Sequence, residues 1–224
     1  MPRKEIIKVL IVEDHPLFRK GLASFIGNIP GYTIAGEADN LSDAMHIAEH
    51  EKPGLVILDI NLKEESGMEL IPWLKSHNPD IAILVLSMYE ERYYSERVLR
   101  LGALGYIMKD EAVNKIEDAI KTVMSGKVYL SDSERERIIE VMSGENVKGL
   151  NDWTAAIRKL SDRELQIFTC IGKGLGTIEI ASRFKLSPKT IDSHKEHIKT
   201  KLHCNSSQEL RQLAIEWINH PGAP

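Results

Sequence analysis

The chain has 224 residues, 42% of them hydrophobic and 28% charged, which is ordinary for a globular protein and long enough for two domains. No uninterrupted apolar run reaches about 18 residues, so the sequence predicts no transmembrane helix and no membrane partner. Residues 1–149 carry a net charge of −7 and residues 150–224 a net charge of +3, which favours a polyanionic partner for the second half only.

Short aliphatic runs rich in β-branched residues predict the strands of the first half. They cover residues 6–12, 32–38, 55–58, 81–86 and 105–108. Helical patterns lie between them, with shared faces formed by Phe18, Leu22, Phe25 and Ile26 and by Val113, Ile116, Ile120 and Val123. Strands that alternate with helices predict a parallel sheet, and near-continuous apolar strands indicate that helices cover both of its faces.

Polar residues stand where these strands end, and the carboxyl ends of parallel strands meet at one edge of a sheet. The residues at these ends are Glu13, Asp14, Asp59, Ser87 and Lys109. Each alone is more often a cap or a surface charge, but together they predict an acidic pocket that holds Mg²⁺, whose preferred ligands are hard oxygens. Asp59 could then act as a nucleophile, while Lys109 and Ser87 contact a transferred phosphoryl group.

Over about residues 5–127, these positions resemble the receiver domain of two-component response regulators. The resemblance implies a flavodoxin-like, doubly wound, five-stranded parallel sheet that accepts phosphate from a histidine kinase. It implies Asp59 as the phosphoacceptor, and Mg²⁺ held by Glu13, Asp14, Asp59 and the backbone carbonyl of Asn61. It also implies three switch and phosphoryl-binding residues, which are Ser87, Tyr106 and Lys109, and Tyr106 is the aromatic residue that rotates. The chain departs from the family at Lys63, where a proline usually follows the acceptor by four residues, although the loop length is kept.

The middle of the chain predicts a connection between two domains. Gly126 ends the last helix of the first half, and a short charged helix follows at 133–142. Residues 143–152 are polar and contain two glycines, which is typical of a linker. The predicted domains are a receiver at 1–127, a linker with a short helix at 128–152, and a DNA-binding domain at 153–224.

The second half predicts a small all-α domain. Ser161 and Glu164 form a capping-box pattern for a helix that ends near Ile171, and further helices are predicted at 177–184, 188–202 and 206–219. Short helices joined by the tight turn before Pro188 fit a helix-turn-helix plan. On the helix from 188, Ile191, His194, Ile198 and Leu202 form one stripe that should face the core.

The segment from 160 to 218 resembles the LuxR-type output domain of the NarL/FixJ subfamily, through Leu160-Ser-Asp-Arg-Glu, Glu179-Ile-Ala and Leu186-Ser-Pro-Lys-Thr-Ile. The resemblance implies double-stranded DNA as a partner. The predicted DNA-binding residues are Lys189, Thr190, Asp192, Ser193, Glu196, His197, Lys199 and Thr200. Asp192 and Glu196 stand where many relatives carry basic residues, and an acid near phosphates weakens binding, although it can accept a hydrogen bond from cytosine.

The sequence therefore predicts a phosphorylation-controlled transcription regulator, and not an enzyme. It is expected in the cytoplasm, since Cys170 and Cys204 form no metal or disulfide pattern, and as a homodimer once phosphorylated. The dimer contact is predicted on the last helix, through Leu210, Leu213, Ala214, Trp217 and Ile218. Two alternatives stay open: a haloacid-dehalogenase-like phosphatase, which would want a second carboxylate at Asn61, and a receiver whose second domain binds protein or RNA.

Overall fold

The computed structural model describes residues 6–62, 65–89, 91–143, 157 and 159–219. The chain divides into two compact units, residues 1–135 and residues 136–224.

Among the described residues, the first unit contains a five-stranded parallel sheet. Its strands are β1 (Ile7–Val12), β2 (Tyr32–Ala38), β3 (Leu55–Asp59), β6 (Ala82–Ser87) and β7 (Gly105–Met108). Their order across the sheet is β2-β1-β3-β6-β7. A two-stranded antiparallel pair follows β3, formed by β4 (Asn61–Leu62) and β5 (Glu65–Ser66). The predicted receiver-type fold is confirmed, with two of the predicted strands ending one residue later, at Asp59 and Ser87.

Four helices connect successive strands of the sheet, and a fifth follows the last strand. The connecting helices are α1 (Pro16–Gly27), α2 (Leu41–Glu51), α3 (Leu70–His77) and α4 (Glu91–Leu101), and the helix after β7 is α5 (Ala112–Met124). Every residue of β3 and β6 is buried, as a sheet covered on both faces requires. Strand order reverses between β1 and β3, so their carboxyl ends border a crevice where ligands of such sheets bind.

Helices α1 and α5 share one hydrophobic cluster with the sheet. Leu22 and Ile26 of α1 meet Ile116 and Ile120 of α5 in this core. Phe25, predicted on the same buried face of α1, is instead 41% exposed. Only one face of α1 packs against the sheet, and Phe25 lies at the edge of that face, where it stays in contact with solvent.

A sixth helix, α6 (Asp132–Ser143), follows the last strand, close to the predicted helix at 133–142. Most of the predicted linker, residues 144–152, lies outside the described residues.

The helices that lie entirely in the described part of the second unit are α7 (Asp162–Gly172), α8 (Thr177–Phe184), α9 (Pro188–Leu202) and α10 (Ser207–Asn219). The predicted capping box is present, since the Glu164 amide donates to Ser161 Oγ and the Ser161 amide donates to Glu164. A Cβ at Gly172 would lie 2.3 Å from the carbonyl oxygen of Ala214, so only glycine permits the close approach of α7 to α10. Among the described residues, none of the helices combines the length and apolar character needed to cross a bilayer.

Candidate functional site

The carboxyl edge of the sheet brings the predicted pocket residues together. Lys109 Nζ lies 2.6 Å from Asp59 Oδ2 and 2.7 Å from Glu13 Oε2, and all three side chains are buried. These residues are separated by 46 positions or more along the chain, and they meet because β1, β3 and β7 end at the same edge. The cation stabilises the buried carboxylates, which would otherwise repel each other.

The local environment of Asp59 fixes both its position and its charge. Its Oδ1 accepts a hydrogen bond from the Asn61 amide at 2.8 Å. The pKa of Asp59 is raised to about 6, mainly because the carboxyl is buried. The charge of Lys109 lowers this pKa, and the charge of Glu13 raises it. Burial alone would lower the pKa of Lys109, but Asp59 and Glu13 raise it above its usual value. Lys109 therefore remains an ammonium group, and a further cation beside Asp59 would favour its anionic form.

Oxygen ligands for such a cation stand around Asp59. One ligand atom from each of Glu13, Asp14, His15 and Asp59 lies within 4.8 Å of the others. Oxygens bound to one Mg²⁺ at about 2.1 Å are separated by at most about 4.2 Å, so the carboxylates need only small movements to share an ion. The residues present fit Mg²⁺.

His15 is the member of this group that sequence reasoning missed. Its Nδ1 lies 2.9 Å from Asp14 Oδ1 and 3.1 Å from Glu13 Oε1, while the imidazole is 65% exposed. Its place directly after the acidic pair was the available signal. The imidazole forms the solvent-facing wall of the pocket.

The predicted switch residues lie beside Asp59. Ser87 is fully buried and its Oγ accepts a hydrogen bond from the Tyr89 amide at 3.1 Å. The Tyr106 ring is also buried, and its hydroxyl donates to the Tyr89 carbonyl oxygen at 3.0 Å. Burial raises the pKa of Tyr106 well above 10, so the phenol stays a neutral donor. The Tyr106 ring thus lies in the interior of the first unit in this structure.

The loop after Asp59 packs closely against the end of β3. A Cβ at Gly67 would lie 2.1 Å from the Asp59 carbonyl oxygen, so glycine alone allows this close approach. The Glu65 carboxylate accepts a hydrogen bond from the Leu41 amide at 2.8 Å, at the start of α2. Lys63, the departure from the family pattern, lies outside the described residues.

The second candidate surface is the exposed side of α9. The predicted DNA-binding residues that are exposed are Lys189, Asp192, Ser193, Glu196, His197 and Thr200, and those that are half-buried are Thr190 and Lys199. Thr190 also contributes to the start of the helix, since its amide donates to Ser187 Oγ at 3.1 Å. The opposite stripe is buried as predicted at Ile191, Ile198 and Leu202, while His194 is half-buried.

The two acids on this surface have intramolecular partners. Glu196 pairs with Lys199 at 2.8 Å. Asp192 Oδ1 accepts a weak hydrogen bond from Thr177 at 3.4 Å, and Lys195 Nζ donates to the same hydroxyl at 2.5 Å. These contacts offset the negative charge but also occupy lysines that could otherwise bind phosphates.

The prediction of surplus apolar surface on the last helix is wrong for three of its five residues. Leu210, Ala214 and Trp217 are buried within the second unit, where α10 packs against α7. The exposed large apolar residue of α10 is Ile215, at 39%. The apolar side chains of this helix serve mainly the core of their own unit.

Two family models match the chain. The response regulator receiver domain matches residues 9–121, and the model of bacterial regulatory proteins of the luxR family matches residues 158–214. One match lies in each of the two units.

The same likeness extends to whole proteins. The chain is 34% identical over 207 residues to the virulence-factor transcription regulator BvgA of Bordetella pertussis, covering 92% of this chain and 96% of BvgA. RcsB of Salmonella enterica serovar Typhimurium, solved on promoter rprA with the phosphomimetic BeF₃⁻, has a TM-score of 0.56 at 23% identity, covering 93% of this chain and 98% of RcsB. A structure of two RcsB dimers on two parallel DNAs has a TM-score of 0.55 at 24% identity, covering 92% and 96%. These structures support the fold.

Proposed function

The chain belongs to the response regulators that join a receiver domain to a LuxR-type DNA-binding domain, and on that premise we propose that Asp59 is the phosphoacceptor that controls DNA binding by α9. The observation that carries the proposal is the buried contact of Lys109 with both Asp59 and Glu13. It places one fixed cation against the carboxylate oxygen that would attack phosphorus.

The proposed reaction is phosphoryl transfer from a phosphohistidine of a partner kinase. An Asp59 oxygen forms the new bond to phosphorus, the bond from phosphorus to the kinase imidazole breaks, and the imidazole takes up a proton from solvent. Lys109 pairs with the phosphoryl oxygens as a point charge, and Ser87 donates a hydrogen bond to one of them once its Oγ turns from the Tyr89 amide.

We propose that Mg²⁺ binds at Glu13, Asp14, Asp59 and the backbone carbonyl of Asn61. When bound, the ion neutralises the charge that builds up on the phosphoryl oxygens. The support from this structure is the spacing of the carboxylates and the raised pKa of Asp59, because a buried carboxylate with such a pKa is stabilised by an added cation.

The proposed DNA interface is the outward side of α9. Lys189 would contact phosphates, Ser193 and His197 would reach base edges, and Asp192 and Glu196 would reduce the affinity of a single copy. RcsB was solved as dimers on DNA, and we propose that phosphorylation of this chain likewise favours a homodimer that binds two half-sites. The buried residues of α10 are not part of that contact.

We propose a receiver at 1–127, a linker at 128–152 and an output domain at 153–224, with the protein in the cytoplasm. The family consists of transcription regulators, and we propose no turnover of phosphate esters, because Asn61 stands where a dehalogenase-like phosphatase would want a carboxylate. The luxR-family match favours DNA over a protein or RNA ligand for the second unit.

The test is a mobility shift of the intact chain on mixed-sequence duplex DNA, with and without BeF₃⁻ and Mg²⁺. BeF₃⁻ should tighten binding in the wild type and have no effect in Asp59→Asn. Lys189→Ala should weaken binding and reduce its salt dependence, whereas Lys173→Ala, an exposed lysine outside α9, should not. Equal binding with and without BeF₃⁻, or an unchanged Lys189→Ala variant, would contradict the proposal.

A further inference from the structure

The segment that leaves the first unit is bonded to it at two places, and we infer that Ser95 and Glu134 are the positioning residues that make this segment follow the movements of α4. The inference rests on the proposed function, since it concerns how the state of Asp59 reaches the rest of the chain. The segment comprises residues 128–135, here called the exit segment.

The first attachment extends the sheet. The Tyr129 amide donates to the Leu104 carbonyl at 2.8 Å, and the Tyr106 amide donates to the Tyr129 carbonyl at 3.1 Å. Tyr129 therefore pairs with β7 at Gly105 as a short parallel bridge, and it covers the edge that β7 would otherwise expose. A Cβ at Gly105 would lie 3.2 Å from that of Tyr129, so the glycine permits this approach.

The second attachment joins the exit segment to α4. The Ser95 hydroxyl donates a short hydrogen bond to Glu134 Oε1, and both side chains are buried, at 0% and 4% exposure. One turn earlier on α4, the Glu91 carboxylate accepts a hydrogen bond from the Ser131 amide at 3.0 Å. A carboxylate is costly to bury, and in some proteins a buried polar pair of this kind fixes the register of two helices.

Both attachments lead back to the acceptor pocket. Tyr106 bonds the exit segment through its main chain and the Tyr89 carbonyl through its side chain. Tyr89 also contacts α4, because the centroid of its ring lies 5.1 Å from the centroid of the Tyr94 ring. Tyr94 directly precedes Ser95 on α4. The Tyr89 amide donates to Ser87 Oγ. A movement of Ser87 toward a phosphoryl group thus breaks a hydrogen bond at the start of the connection that leads to Ser95 and Glu134.

The bond between Ser95 and Glu134 could either couple the exit segment to the state of Asp59 or only stabilise the first unit. Variants at these two residues distinguish the two roles. We would make Ser95→Ala and Glu134→Met in the intact chain, the second of which keeps side-chain length but removes the acceptor oxygens. Glu134→Gln retains one acceptor oxygen and is the conservative variant. Glu136→Met is the matched control, because Glu136 is an exposed carboxylate on the same helix.

Two quantities are measured with Mg²⁺ present. The first is the ratio of DNA affinities with and without BeF₃⁻, after ¹⁹F NMR has verified that BeF₃⁻ binds each variant. The second is hydrogen exchange in peptides that cover the exit segment, with and without BeF₃⁻. In Ser95→Ala and Glu134→Met the affinity ratio should fall at least about five-fold from the wild-type value, and exchange in the exit segment should no longer respond. Glu134→Gln and Glu136→Met should retain both responses.

A ratio in Ser95→Ala within about two-fold of the wild type, with an exit segment that still responds, would overturn the inference; if Glu134→Met fails to fold, Ser95→Ala decides alone. Failure of the proposed function looks different, because the wild type itself would then show no effect of BeF₃⁻ on DNA affinity. In that case exchange alone decides: the inference is upheld if BeF₃⁻ changes the exit segment in the wild type but not in Ser95→Ala, and is overturned by any other pattern.

Discussion

Asp59→Asn is expected to stabilise the first unit of the metal-free protein at neutral pH. The wild-type carboxyl is buried, and burial with the nearby charge of Glu13 raises its pKa from 3.8 to about 6 despite Lys109. A rise of about two pH units corresponds to about 3 kcal/mol of unfavourable free energy for the ionised folded state. The neutral amide avoids this cost, and Lys109 keeps its ion pair with Glu13.

The pH dependence follows from the direction of this change. Between pH 4 and pH 6 the folded state holds the Asp59 proton more tightly than the unfolded state does. Stability of the wild type therefore falls as pH rises through this range, and the full penalty is present above it. In Asp59→Asn this contribution is absent, so the two proteins should have similar stability near pH 4 and differ by up to about 3 kcal/mol at pH 7.5.

Urea unfolding in EDTA at a series of pH values measures this difference, and peptide-resolved pulsed hydrogen exchange separates the first unit from the second. Saturating Mg²⁺ should remove the gap, because the ion stabilises only the ionised wild-type site. The reasoning would be refuted if Asp59→Asn were no more stable than the wild type at pH 7.5 without metal, or if the gap did not shrink toward pH 4.

Three further perturbations test other parts of the structure. Gly67→Ala should cost about 1–3 kcal/mol of stability and weaken BeF₃⁻ binding, because its Cβ would press on the backbone of Asp59; unchanged urea midpoints and ¹⁹F signals would contradict this. Trp217→Ala should destabilise the second unit by about 3–5 kcal/mol while BeF₃⁻ still binds, as seen in unit-resolved unfolding, and a loss below about 1 kcal/mol would show that this side chain is not in the core. Glu196→Gln should tighten binding to mixed-sequence DNA several-fold at low salt by releasing Lys199, and titrations that matched the wild type at all salt concentrations would rule this out.

The sheet could be predicted from the sequence because most of its strands are compact apolar runs with a polar residue at or directly after the end. Asp59 and Lys109 were assigned to one edge from that pattern alone, and the structure places them 2.6 Å apart. The helices of the second unit were equally accessible, since Ser161 and Ser187 carry local capping signals that do not depend on tertiary contacts.

What the sequence did not reveal depends on partners that are distant along the chain. Periodicity shows that Trp217 is on an apolar face but not whether that face meets the same unit or another copy. The predicted dimer contact through Trp217 is therefore wrong, because the side chain is buried in its own unit. The hydrogen bond between Ser95 and Glu134 joins two polar residues that are 39 positions apart. The sequence around each of them predicts an exposed side chain. The burial of Tyr106 against the Tyr89 carbonyl is likewise a matter of side-chain packing, which local patterns do not encode.

The central claim is that the Asp59 carboxylate takes up a phosphoryl group in a pocket completed by Lys109 and a divalent ion. The most direct measurement is the intact mass of the protein after incubation with acetyl phosphate and Mg²⁺, followed by assignment of the modified residue after borohydride reduction. We expect the mass of one phosphoryl group, assigned to Asp59 and absent in EDTA and in Asp59→Asn. An unmodified wild-type protein, or a phosphoryl group on another residue that persists in Asp59→Asn, would contradict the account.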